Sequence, residues 1–516
     1  MGAQQSKTSP EEAAHKKAVL DVLQSLKSEL SNEFLKSDAD NEFVYVESEK
    51  GTLSNGQITR QPEQLAVERT EDWQSKLLAD PKNRLALSAL SSANPRDVLA
   101  SRSAKIADQQ VFNIRIPFEG APITNQRSSG RCWLFASTNV FRVALMKKYN
   151  LAEFELSQAY LFFYDKLEKS NFFLENIIET ADQSLDERLV QRILADPISD
   201  GGQWDMVYNL VEKYGLLPQT LYPDSWNAMT SSTINYIIIA KLREYAVILR
   251  KLANSSATTA SSLSATKDKM LREIHLILTL TLGPPPSTTD EFEWNFLDKD
   301  GRARTVVSTP HRFSKDISSQ DFRISSSTIA SMVSLVHDPR HPPLSLMTVD
   351  RLGNIVGGRG ITYINVDMDT LKQACISMLR SGLPIFFGSD VGKYSDRAGG
   401  IMDTDLFDFS LGFNVDLYRS LDKAARLRVG ESAMTHAMVL TAVHVDAEGR
   451  PERWRVQNSW GTDVGSKGWF VMTDRWMDEF VYQAVVDPRF LPRKARDVLG
   501  QEPIVLPLWD PMGSLA

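Results

Sequence analysis

Cysteine is nearly missing from this chain: of 516 residues, only Cys132 and Cys375 carry a thiol. Two thiols cannot organise a disulfide scaffold, and so low a count fits a reducing compartment. Long apolar runs are missing too. Segments such as Ile237-Ile238-Ile239 and Leu276-Ile277-Leu278 fall well short of the roughly 18 to 20 apolar residues of a membrane span, and read as core helix or strand. No N-terminal stretch has the basic, apolar, small-residue order of a secretory signal. A basic excess is also absent. The net charge is −7, which argues weakly against a general nucleic-acid binder and leaves a local basic face open. Neither cysteine sits in a CxxC pair and no HExxH occurs, so no metal and no cofactor is implied.

What is present suits a large folded enzyme. Hydrophobic residues make up 42% and charged residues 24%, enough to bury a core too large for one minimal domain. Residues 1–65 are polar, with one helix expected over 13–30 and a loop over 51–64. An extended piece is expected at 111–117. From Cys132 onward Trp133, Phe135, Ala136, Val140, Val143 and Ala144 recur at helical spacing. Lys147 and Lys148 suit the negative end of that helix, and Asn150 suits its stop. Ser157 is a good N-cap for a second helix running to Leu167. Residues 230–282 read as two helices joined by a Ser- and Thr-rich connector at 254–262. Asp298-Lys299-Asp300-Gly301 reads as a hairpin turn. Residues 345–490 alternate like strands, with one helix near 368–379. Helices first and strands later predict an α+β chain. The start Met1-Gly2-Ala3-Gln4-Gln5-Ser6-Lys7 matches the pattern for N-myristoylation of Gly2. One such chain gives only weak membrane contact, with Lys7, Lys16 and Lys17 a weak second signal.

The chemistry centres on Cys132. A thiol attacks as thiolate, and a helix N-terminus with a nearby imidazolium lowers its pKa. Cys132 opens a predicted helix, although a lone cysteine there is more often a small core residue. Its context decides the matter. Ser129-Gly130-Arg131-Cys132-Trp133 resembles the active-site segment of papain-like peptidases, C-G-[SA]-C-[WY]. Ser129 replaces the first cysteine, which in secreted relatives is usually in a disulfide, and Arg131 replaces a small residue. Ala433-Met434-Thr435-His436-Ala437-Met438-Val439 resembles the histidine strand of that family. His436 is therefore the candidate among seven histidines, and His444, before a turn, reads as structural. Gln457-Asn458-Ser459-Trp460-Gly461 resembles the N-S-W-G motif.

That resemblance implies roles. Cys132 is the nucleophile, His436 the base, Asn458 the group that orients the imidazole, and Trp460 a shield for that bond. Gln126, six residues before Cys132, supplies an oxyanion donor beside the Cys132 N–H. Gly201-Gly202 lets substrate backbone approach the cleft. The spacing from Cys132 to His436 is roughly 300 residues against about 130 to 150 in the minimal pattern. This excess and the segment from Gly382 to Lys393 resemble the bleomycin hydrolase group specifically, over roughly residues 70–516. So does the terminal stretch from Leu506 to Ala516, an arm whose carboxylate, in that group, lies in the cleft and holds the substrate amine.

The expected architecture is a papain-like two-lobed fold with these parts: a polar extension, 1–65; a helical lobe with the nucleophile, 66–224; an insertion, helical then hairpin, 225–360; a β-rich, barrel-like lobe with His436 and Asn458, 361–490; and the arm, 491–516. The expected function is a cytoplasmic cysteine aminopeptidase of broad specificity acting on peptides and related amides, with homocysteine thiolactone a side substrate. By analogy the chain assembles as a homohexamer, with a mitochondrial or membrane-associated fraction kept open. The competing reading is a nucleic-acid-binding ring with secondary peptidase activity, its best local feature being Arg493-Lys494-Ala495-Arg496.

Overall fold

The computed structural model describes residues 62–315, 326–418 and 421–515. The helix expected over 13–30, Gly2 and Ala516 lie outside them. The chain divides into two units. One contains the residues up to Ala100 together with Phe407–Asp422; the other contains Ser101–Leu406 and Lys423–Ala516.

In the first unit, Asp80 and Asn94 accept the N–H groups of Lys82 and Arg96 and so start the helices Pro81–Leu90 and Pro95–Val98. Proline at the first helical position has no N–H to leave unpaired. Helices Val67–Ala79 and Pro81–Leu90 bury no residue. Residues 66–100 cluster with 407–422 rather than with the segment that carries Cys132, which departs from the expected 66–224 lobe.

The second unit holds the candidate site. Helix Cys132–Lys148 is buried from Cys132 through Met146. A helix buried on every side belongs at the centre of a core, and its polar Thr138 and Asn139 find partners there, Thr138 on the Leu134 carbonyl and Asn139 on the Thr124 hydroxyl. Lys147 and Lys148 occupy its last turn, and Asn150 takes the left-handed φ of 55° that ends it. The Ser157 hydroxyl accepts the Tyr160 N–H and starts helix Gln158–Glu179. This helix passes the expected end at Leu167. Lys166, Glu168, Lys169 and Ser170 break the apolar pattern, yet all four are buried. Ion pairs with Asp200, Lys213 and Asp165 satisfy the first three. Helices Ser232–Ala253 and Ala260–Leu282 follow, the second opened by a capping box between Thr259 and Ser262.

The strands are β1 (Ile114–Arg115), β2 (Phe292–Leu297), β3 (Ala303–Ser308), β4 (Val333–Val336), β5 (Ser345–Val349), β6 (Tyr363–Asn365), β7 (Ile385–Ser389), β8 (Ser395–Asp396), β9 (Ile401–Met402), β10 (His436–Val445), β11 (Pro451–Gln457), β12 (Trp469–Thr473), β13 (Val481–Val486) and β14 (Ile504–Leu506). β2 and β3 form the expected hairpin, its turn held by the Asp298 carboxylate on the Asp300 and Arg302 N–H groups. The main sheet runs β14-β5-β6-β4-β13-β7-β10-β11-β12-β9-β8, with β1 on β10. It differs from the expected boundaries at two places. β4 and β5 lie before residue 361 yet belong to it, and β14, from the arm, pairs in parallel with β5. β4 reads Val-Ser-Leu-Val and all four residues are buried; so short an apolar run has no period to declare it a strand.

Helix and sheet meet through aromatic rings. Phe141, Trp204 and Phe386 of β7 stack edge to face at 5.5 and 5.7 Å, and helix Cys132–Lys148 packs on β10. Among the described residues no helix is long and apolar enough to cross a membrane.

Candidate active site

Three chain segments converge. Cys132 is the first residue of its helix, and His436 is the first residue of β10, opposite Ser389 of β7. Asn458 directly follows β11. The loop before Cys132 is tied to the Asn458 turn by the Gln126 N–H on the Ser459 carbonyl (2.8 Å) and the Gly461 N–H on the Thr124 carbonyl (3.0 Å). Gly461 has φ of 79°, and a Cβ there would stand 2.4 Å from the Asn125 amide nitrogen. Glycine is thus required where these two loops meet.

His436 Nε2 lies 2.9 Å from Asn458 Oδ1. The Ser459 N–H donates to the same oxygen at 2.8 Å. A backbone N–H can only donate, so that atom is the amide oxygen, and the orientation of the amide follows. Nε2 must then carry the proton, which leaves Nδ1 as the basic nitrogen. The Trp460 ring lies on the imidazole, centroids 4.8 Å apart and planes 27° apart. The Arg397 guanidinium lies over the Trp460 ring, 4.8 Å from its centroid.

Both Cys132 and His436 are buried. Burial pushes the thiol up to about 11, although the N–H groups of Ala437, Trp133 and Cys132 itself draw it down. The Ala437 N–H places the sulfur beside the residue that follows His436. Burial likewise pushes the imidazole down to about 4, against the Asn458 hydrogen bond and with the Arg397 charge. Neither charge is favourable alone in this enclosure. A proton passed from the sulfur to Nδ1 would create both together, and their attraction would grow as the local dielectric falls.

Gln126 is held at both ends of its amide. Its oxygen accepts the Ser459 hydroxyl at 2.7 Å, and Nε2 donates to the Ser129 carbonyl at 2.7 Å. A primary amide has two N–H protons, so one remains to donate elsewhere. The departures from the papain pattern have a physical reason. Arg131 is fully buried, stacks on Phe135 and Phe162, and pairs in two places with Asp224 at 2.7 and 3.0 Å. Its Nε donates to Ser129 Oγ at 2.9 Å, and Ser129 donates on to the Gln126 carbonyl at 2.6 Å.

Gly201-Gly202 is buried beside the helix start. A Cβ at Gly202 would stand 2.5 Å from the Trp133 ring, whose Nε1 donates to the Asp200 carbonyl at 2.6 Å. Gly202→Ala is therefore expected to cost about 1–3 kcal/mol by overpacking. It should lower both the melting temperature and the turnover number, because Trp133 adjoins Cys132.

Asp200 was not singled out from sequence. Its carboxylate accepts the Gly130 N–H (3.0 Å), the Asn235 amide (2.8 Å) and the Ser231 hydroxyl, and pairs with Lys166 at 2.6 Å. Burial alone would raise its pKa, yet Lys166, Ser231 and the Gly130 N–H hold it well below the usual carboxylate range. The partners are 30 to 70 residues away in the chain, so only its place before Gly201 signalled it. Cys375 is buried in helix Met368–Arg380, where burial pushes its thiol up to about 12. His444 lies within β10, 3.7 Å from Glu452.

The arm enters the same region. Asp510 pairs with Arg340 at 2.7 Å, and the Met512 carbonyl accepts the Tyr363 hydroxyl at 3.3 Å. The Ser514 carbonyl accepts the Gln203 amide, and its hydroxyl donates to the Met434 carbonyl, both at 2.9 Å. Ser514 thus bridges the residue after Gly202 and a residue two before His436. Ser514 and Leu515 also wall a cavity shared with Lys169, Phe173 and Ser199. Ala516 lies outside the described residues. Among those residues, no three His, Cys, Asp or Glu side chains gather to hold a metal.

An α+β fold with this arrangement is that of a papain-type cysteine peptidase. Residues 64–513 match the Peptidase C1-like family, and the chain belongs to it. It is 41% identical to cysteine proteinase 1, mitochondrial, of Saccharomyces cerevisiae, over 89% of this chain and 94% of that one. It is 43% identical to the bleomycin hydrolase of Homo sapiens, over 86% of this chain and 96% of that one. The crystal structure of PepW from Lactobacillus rhamnosis superposes with a TM-score of 0.83 at 40% identity, over 88% of this chain and 99% of that one.

Proposed function

We propose that this cysteine peptidase is an aminopeptidase of broad specificity that works through a thioester on Cys132. His436 Nδ1 takes the thiol proton, and the thiolate attacks the carbonyl carbon of the first peptide bond. The Cys132 N–H and the second N–H of Gln126 hold the oxyanion. As the C–N bond breaks, His436 returns the proton to the leaving amine. Water, deprotonated by the same imidazole, then hydrolyses the thioester and restores the thiol. Asn458 keeps the ring in the working tautomer, and Trp460 keeps water from that bond. Gly201 and Gly202 border the substrate backbone.

The arm carries the aminopeptidase reading. Ser514 stands between Gln203 and Met434, and an arm placed there would limit how far a substrate extends on that side. The carboxylate of Ala516 is the proposed partner of the substrate ammonium. Peptides are the proposed substrates, and thiolactones of amino acids present the same free amine and acyl carbon. A homohexamer in the cytoplasm belongs to the same proposal; the yeast relative's name, which places that protein in the mitochondrion, supports a mitochondrial fraction, and a myristoyl group on Gly2 would add weak membrane contact. The nucleic-acid reading gains little. Arg493 and Asp497 face each other within one short exposed helix, at 3.6 Å.

A matched pair of reporters tests this: an aminoacyl amide with a free amine, and its N-acetyl twin. The free amine should be cleaved and the blocked twin spared, with Cys132→Ala silent on both. Equal cleavage of the two would make this an endopeptidase.

A further inference from the structure

We propose that Arg397 is a specificity-determining residue, one that binds a carboxylate on the departing part of the substrate. Building on the aminopeptidase reading, this makes short peptides with a carboxylate close behind the scissile bond the favoured substrates.

The placement follows from the sheet. β10 is flanked by β7 on one side and by β11 and β12 on the other. The arm reaches the β7 side: Ser514 bonds Met434, whose side chain lies over Gly388 of β7. Trp460 is on the β12 side, edge to face with Phe470 at 5.6 Å. The two therefore flank His436 from opposite sides. If the substrate amine meets the arm, the departing residues extend toward Trp460, since the leaving nitrogen must come to the imidazole for its proton.

Over Trp460 lies the Arg397 guanidinium. Arg397 is exposed, and it makes no ion pair among the described residues. The neighbouring carboxylate, Asp396, is already engaged by the Ala398 and Gly399 N–H groups and by Lys105. The loop itself is fixed, because the Gly465 N–H donates to the Arg397 and Ala398 carbonyls at 3.2 and 3.1 Å. A planar cation stacked on an aromatic ring, edge free and position set, suits two-point carboxylate recognition. Its field already reaches the site, for it helps to keep His436 neutral.

The carboxylate has two sources: the C-terminus of a dipeptide or an acidic side chain. Three substrates separate them: alanyl-alanine, alanyl-alanine amide and alanyl-aspartic acid α-amide. At low ionic strength the first should exceed the amide about two- to fivefold in kcat/KM, as an exposed charge pair permits. Arg397→Gln should bring that ratio to about one, Arg397→Lys should keep part of it, and added salt should shrink it in the wild type. Preference for the third substrate alone would assign the site to acidic side chains. A wild-type ratio of one for both carboxylates, or a ratio unchanged by Arg397→Gln, overturns the proposal and leaves the aminopeptidase reading standing. No cleavage of any of the three by the wild type removes both.

Discussion

Replacing His436 by alanine is expected to leave Cys132 nearly inert to iodoacetamide at neutral pH. With the imidazole gone, burial holds the thiol near the value of about 11 to which it is pushed. At pH 7 such a group is thiolate in about one molecule in 10⁴. A more basic thiolate is the better nucleophile, but a Brønsted slope of about 0.4–0.5 recovers only half of that loss on a logarithmic scale. The alkylation rate should therefore fall by about a hundredfold or more, and should climb with pH up to the region of 11. The sign is set by the proton: an acid whose pKa is raised by burial is reactive only above that value. Wild type should instead react at neutral pH, because the proposed ion pair with His436 would supply the thiolate. The mass shift should correspond to one adduct per chain, since Cys375 is fully buried and burial alone pushes its thiol up to about 12. An alkylation rate unchanged in His436→Ala would mean that something other than His436 ionises the thiol.

The parts of the site that were legible in sequence are those where chemistry and backbone are local. Ser129-Gly130-Arg131-Cys132-Trp133 declares a thiol at a helix start, and Gln457-Asn458-Ser459-Trp460-Gly461 puts an amide, a shield and a turn glycine within five residues. The Ser157 cap and the turn at Asp298 were legible for the same reason. What sequence hid depends on partners far along the chain. Lys166 and Lys169 look like a solvated face, and are instead buried against Asp200 and Asp165, so the helix they sit on appeared to end early. Arg131 looks like an odd residue in the motif until Asp224 is seen opposite it. Arg397 reads as an ordinary surface cation until Trp460 is found beneath it. The clustering of residues 62–100 with 407–422 has no local signal at all.

Removing residues 513–516 is expected to turn the enzyme toward peptides with blocked amines. The truncation spares β14 and the Arg340–Asp510 pair, so the rest of the arm keeps its anchors. It removes the two Ser514 hydrogen bonds, at a cost of about 1–3 kcal/mol in stability, which the surrounding core can absorb. Two effects on substrates then act together. The space beyond the first residue opens, so an acetylated or longer peptide fits. The carboxylate proposed to meet the substrate ammonium goes, so free-amine substrates lose an enclosed charge pair. Such pairs are worth about 2–5 kcal/mol when one partner is deleted, and part of that appears only as the acyl carbon reaches the thiol. The ratio of kcat/KM for the free-amine reporter to that for its acetylated twin should therefore fall by about a hundredfold, through a gain on the blocked substrate and a loss on the free one. Alkylation of Cys132 should keep its wild-type rate, because the Ser514 hydrogen bonds go to Gln203 and Met434 and leave Cys132 and His436 unbonded to Ser514. If the truncated enzyme still rejects blocked peptides, the barrier lies in the cleft walls. The walls to change next would then be those that Lys169 and Ser199 contribute beside Ser514.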